Sequence, residues 1–262
     1  MACVLPFSRG EKRGKENGAK ENMIYDIADL RVNIKNRCRY TTEFCKEYLS
    51  EDQTSPFDMT AVVSDEAFWE EKKQSSEYSD GYVENICLYR EICLQMPSFD
   101  RFLLHAAVLE FEGNGYAFLG RSGAGKSTHT SLWLQYVQGS KILNGDKPVV
   151  AFDGKDFYAY GTPWMGKEGR GCKGKAPIKA LCFIEQAKEN SIVRLTPAEL
   201  TTRIFSQLLM PTEEEAVEKT LYLADKLVTS VPAYVLYCNI SEDAVCHSFE
   251  AMTGQKYIKK GE

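Results

Sequence analysis

Three glycines within six residues, Gly120, Gly123 and Gly125, stand between an apolar strand pattern and a helical one. No other stretch limits the fold as tightly. The strand pattern is YAFLG (116 to 120) and the helical one STHTSLWLQYV (127 to 137). Glycine admits positive φ and close backbone approach, so successive amides can converge on an anion while the helix aims its positive end at the same point. Gly120-Arg121-Ser122-Gly123-Ala124-Gly125-Lys126-Ser127 matches G-x-x-x-x-G-K-[ST] at every fixed position. In that pattern the lysine reaches the β and γ phosphates of a nucleotide and the hydroxyl sits on Mg2+. Gly120, Arg121, Ser122, Gly123, Ala124, Gly125, Lys126, Ser127 and Thr128 are the expected phosphate-binding residues, and ATP and Mg2+ the expected ligands.

A loop of this kind does not name a reaction; a second acidic group must do that. Asp146 follows the short strand pattern KIL and ends NGD, where a carboxylate can meet Mg2+ or accept a proton from an attacking hydroxyl. Turn formers surround it, so capping a turn is its competing role. His105 lies in FLLHAAVLEF (102 to 111), read as one apolar strand. A hairpin through EGNG, with Asn114-Gly115 as the turn signal, returns the chain to Gly120 and sets His105 beside the strand that feeds the loop. Spacing alone leaves open whether this histidine is a core residue or approaches the phosphates.

The chain has 262 residues, 44% apolar and 26% charged, enough for one sizeable core or a core with a small lobe. A net charge of −5 lacks the basic excess of a nucleic-acid binder. Nine cysteines without a C-x-x-C pair, and no apolar run of about 18 residues, lead us to expect reduced thiols, no membrane segment and a cytoplasmic location. Residues 8 to 22 are polar and aperiodic, and 1–22 read as a disordered tail. Residues 23–100 read as an α+β segment packed on the core, and 101–252 as a nucleotide-binding core. Strands and helices mix without strict alternation, and adjacent hairpins predict a mixed sheet flanked by helices.

Together, His105 in its apolar strand, GRSGAGKST and Asp146 in ILNGDKP resemble the HPr kinase/phosphorylase family and, more distantly, the nucleotide core of the phosphoenolpyruvate carboxykinases. The resemblance covers roughly residues 101 to 185. It implies an α/β fold of that P-loop type, and phosphoryl transfer from ATP to a hydroxyl, serine in the best-known members. It also implies that Lys126 binds phosphate, Ser127 and Asp146 hold Mg2+, Asp146 is the general base and His105 assists. Two departures stand out. The family usually has two adjacent acids where this chain has Gly145-Asp146, and Tyr158 and Tyr160 stand near the place of its downstream metal-binding glutamate.

YGTPWMGKEGRG (160 to 171) reads as a mobile, positively charged loop. Lys167 and Arg170 would neutralise phosphate charge, Trp164 would shield the site, and Glu168 would replace the missing metal ligand. The expected activity is a kinase acting on a hydroxyl of a protein, peptide or small molecule, and a homo-oligomer is among the expected partners. Two alternatives remain: a nucleotide-binding regulatory protein without transfer activity, and a decarboxylating carboxykinase.

Overall fold

The computed structural model describes residues 21–166 and 168–259. The expected tail at 1–22 lies outside them except for Glu21 and Asn22, which belong to the first strand and not to a tail. That strand, β1 (Glu21–Ile27), pairs antiparallel with β2 (Leu30–Asn36). Helix α1 (Arg39–Phe44) and a short 3-10 turn lead to β3 (Met59–Val62), which lies parallel to β2. Helices α2 (Asp65–Gln74) and α3 (Asp80–Gln95) follow. Ser64 and Ser79 cap them, each accepting from a first-turn amide, and so satisfy donors that a helix start leaves without intrahelical partners.

The apolar run at 102–111 is two strands, not one. β4 (Arg101–Leu103) pairs with β8 (Val149–Phe152), whereas β5 (Ala106–Phe111) pairs with β6 (Asn114–Leu119) and β7 (Lys141–Asn144). Leu104 and His105 carry the chain from one part of the sheet to the other, the His105 amide bonding to the Gln207 carbonyl at 2.7 Å. The β5–β6 turn is Glu112-Gly113, two residues before the Asn-Gly signal. Both residues adopt positive φ, at 50° and 74°, the handedness a two-residue hairpin turn requires.

Helix α4 (Lys126–Tyr136) follows β6 through the glycine-rich loop. After β8 come β9 (Phe157–Tyr160) and the twelve-residue β10 (Lys175–Gln186). Its first residues pair antiparallel with β9; from Ile178 onward it runs parallel to β6, and from Leu181 parallel to β12 (Ala233–Cys238). β11 (Ser191–Arg194) flanks β12. Helix α5 (Pro197–Ile204) opens on a Thr196–Glu199 capping box. Beyond a 3-10 turn, Leu208 is drawn out to bridge Leu104.

The result is a nine-stranded mixed sheet flanked by helices. α5 and α6 (Glu214–Ser230) bury Leu200, Ile204, Leu223 and Leu227 on one face. On the other, α4 and α7 (Glu242–Thr253) bury Trp133, Val245 and Phe249. Burial on both faces explains why β5, β6 and β10 are almost continuously apolar. A third cluster joins β1, β2, β3 and α3 to Leu103, Val149 and Tyr160 of the main sheet and to Trp164 in the loop after β9. No helix among the described residues is long and apolar enough to cross a membrane. The eight described cysteines are free thiols.

Candidate functional site

Register brings the site together. Ala106 pairs with Leu119, so the residues flanking that pair, His105 and Gly120, sit side by side where β5 begins and β6 ends. Val108 pairs with Asn144, so β7 ends on the same rim, and the Ala106 amide bonds to the Asp146 carbonyl at 3.1 Å. Glycine-rich loop, histidine and carboxylate thus share one edge.

Gly120, Gly123 and Gly125 hold φ of 140°, 80° and 110°, values a side chain would strain. Gly125 precedes the first turn of α4, whose amides lack intrahelical acceptors and face outward as an anion site. Lys126 is buried and folds back over the loop, its Nζ donating to the Gly120 carbonyl at 2.7 Å and lying 3.4 Å from His105 Nε2. On the far side, Gln186 at the end of β10 donates to the Gly123 carbonyl at 3.1 Å.

Asp146 Oδ1 is 3.3 Å from His105 Nε2, and its Oδ2 is buried with no hydrogen-bond partner. Burial pushes this carboxyl up; the His105 hydrogen bond and the charges of Lys147, His105 and Lys126 outweigh it and hold the group below its ordinary value. Asp146 is therefore an anion at neutral pH. Its orientation comes from Asn144, fully buried, whose Oδ1 accepts from the amides of Asp146 at 3.0 Å and Lys147 at 2.8 Å. The Asn144 Nδ2 donates in turn to Thr162 at 3.0 Å. Sequence reading missed Asn144, whose role appears only when folding brings two amides and the Thr162 hydroxyl to it.

One ≈ 270 Å3 cleft is lined by His105, Lys126, Ser127, Asp146, Glu168 and Arg170 among others. Ser122, Gly123, Gly125 and Thr128 also line it, whereas Gly120, Arg121 and Ala124 face a second cleft across the loop. The stretch 160 to 171 is only partly the surface loop expected. Gly161, Thr162, Pro163 and Trp164 are buried. Trp164 points away from the cleft, stacking on Tyr89 at 4.2 Å and donating to Asn85 Oδ1 at 2.9 Å. It anchors the loop to α3 and does not cover the cleft as expected, because its ring finds an aromatic slot there. Beyond it, Glu168 pairs with Arg170 at 3.3 Å, and Arg170 also reaches Ser131 on α4 at 2.9 Å. Lys167 lies outside the described residues.

This loop also accounts for Gly145. A Cβ there would stand 2.9 Å from the Met165 carbonyl and 3.0 Å from that of Arg170, so the loop packing leaves no room for a second acid beside Asp146. Tyr160, near the place of the other missing ligand, donates instead to Asp29 at 2.7 Å, away from the cleft. His129 packs in the core, Nε2 within 2.9 Å of Ser248, and His247 pairs with Asp243 on α7.

Among the described residues no group of three or more His, Cys, Asp or Glu forms a ready metal cage. The unpartnered Asp146 Oδ2 and the Ser127 hydroxyl are both oxygen donors on the cleft wall. That set fits a hard divalent cation which takes the rest of its shell from water and phosphate.

No family model matches the chain, and no curated protein does. Among solved structures, the HPr(Ser) kinase/phosphatase from Coxiella burnetii is similar, with 11% identity over 58% of this chain and 93% of that one and a TM-score of 0.31.

Proposed function

We propose that this chain is an ATP-dependent phosphotransferase that acts on a hydroxyl group, related to the HPr kinase-like proteins. The observation that carries the reading is the half-buried carboxylate of Asp146, its Oδ2 buried without a partner, ionised, oriented by Asn144 and His105, and sharing a cleft with Lys126 and the loop amides. A phosphate loop beside an ionised, water-poor carboxylate is what an attack by a neutral hydroxyl needs.

The acceptor oxygen attacks the γ phosphorus as the bond to the β–γ bridging oxygen breaks, and ADP leaves. The hydroxyl proton passes to Asp146. Lys126 and the first-turn amides of α4 stabilise the charge spread over the phosphoryl oxygens. His105, with its proton on Nε2, holds Asp146 Oδ1 and so directs the carboxylate. Ser127 and Asp146 would hold Mg2+, which supplies charge neutralisation on the phosphates when bound. Arg170 and Glu168 stand at the cleft wall, where the guanidinium contributes positive charge.

A second reading, a nucleotide-responsive protein without transfer, draws on the closed packing around Gly145. A screen with γ-labelled ATP over peptide and small-molecule hydroxyls separates the two. We expect transfer by the native chain, loss of nucleotide binding in Lys126→Ala, and retained binding with turnover down by about 10²–10⁴ in Asp146→Asn. Binding without transfer to any acceptor favours the second reading; unchanged turnover in Asp146→Asn removes the base.

A further inference from the structure

The first cleft is the smaller of the two that flank the glycine-rich loop. At ≈ 270 Å3 it falls below the range of about 300–1,000 Å3 that drug-sized ligands occupy. Across the loop lies a larger one of ≈ 1020 Å3, and Ser122 and Gly123 line both. Its other wall is the carboxyl end of β10, with Phe183, Glu185 and Gln186, and the helix α5 with its 3-10 extension, with Thr202, Arg203 and Ser206.

We propose that this second cleft takes the base and ribose of the donor, a nucleoside triphosphate whose phosphates lie in the first. The inference rests on the phosphotransferase reading and locates one of its substrates. Three observations carry it. First, Asp146 and His105 line only the small cleft, so the acceptor hydroxyl must enter there, and the nucleoside is left the opposite side of the loop. Second, the large cleft lies beyond the carboxyl ends of the parallel strands β6 and β10, the general location for ligands of open α/β sheets.

Third, the lining suits a nucleoside. The Arg203 guanidinium lies over the Phe183 ring, 5.7 Å from its centroid, and is fixed by Glu185 Oε1 at 2.6 Å. A guanidinium plane held from two sides is a stacking surface for a heteroaromatic base. Thr202 and Ser206 add exposed hydroxyls within the same wall, and Gln186 links that wall to the loop through the Gly123 carbonyl. A base seated here is felt by the loop that holds the phosphates.

Calorimetric titration of the full chain with ATP and with inorganic tripolyphosphate, both with Mg2+, tests the assignment. The native chain is expected to bind ATP more tightly than tripolyphosphate. Arg203→Ala should weaken ATP about tenfold and leave tripolyphosphate unchanged. Ser206→Trp, which fills the cleft from an exposed position, should do the same without breaking an ion pair. Unchanged ATP affinity in both variants, or equal losses for both ligands, overturns the inference. Equal affinity of the native chain for ATP and tripolyphosphate also overturns it while leaving the phosphate loop standing. Failure of the native chain to bind either ligand overturns the phosphotransferase reading with it.

Discussion

His129 shows how a single residue near the loop makes the fold sensitive to acid. It stands one turn into α4 against Phe118, with Nε2 on Ser248 and Nδ1 buried without a partner. Burial lowers its pKa from 6.5 to about 4. The unfolded chain therefore binds a proton between these values that the folded chain refuses. Stability is complete above the unfolded pKa and falls as pH drops from 6.5 toward about 4, by about 3 kcal/mol across that window. Thermal melts between pH 4 and 7 check this: His129→Gln should flatten the slope, and an unchanged slope assigns the acid sensitivity elsewhere. Lys126 and Asp146 were legible as residues because their types and spacing carry chemistry. Asn144 was not, because an amide at a strand end has no sequence signature; its role exists only through two amides and a hydroxyl that folding brings to it.

Among elements, the stretch after β9 departs most from its reading. Glycine and charge suggested a loop free over the site, yet its first half is buried and its second half presses against the turn that carries the acid. A Cβ at Gly166 would meet the Asp146 Cβ at 2.6 Å, and the backbone there has φ of 81°. Gly166→Ala should therefore displace Asp146, cutting turnover while nucleotide affinity, set by the loop across the cleft, changes little. Steady-state kinetics beside a binding titration would show it; a pure loss of affinity contradicts the packing argument. The run from 102 to 111 failed for a different reason. Both of its strands are apolar, and hydrophobicity does not record that the chain changes neighbours between them.

For the whole molecule, the segment before residue 100 is structurally joined to the site. The α3 helix grips both halves of the cleft rim: Tyr89 donates to the Lys147 carbonyl at 2.8 Å, next to Asp146, and Asn85 holds Trp164 at the base of the loop. Tyr89→Phe removes a buried donor and leaves the Lys147 carbonyl short of one partner, a cost of about 1–3 kcal/mol. Urea unfolding should register that loss. Turnover should fall with it under conditions where the variant remains folded, while ATP affinity holds. Full activity in a folded Tyr89→Phe chain would show that the clamp is structural only.

The amino-acid sequence by itself determined the glycine-rich turn between strand and helix and the mixed character of the sheet. These are local matters, written in neighbouring residues and in their period. Tertiary structure alone decided that His105, Lys126 and Asp146 meet, that Trp164 turns toward α3, and that Gly145 admits no side chain. Those outcomes depend on register between strands far apart in the chain and on how closely two loops pack, and neither quantity is encoded within any single segment.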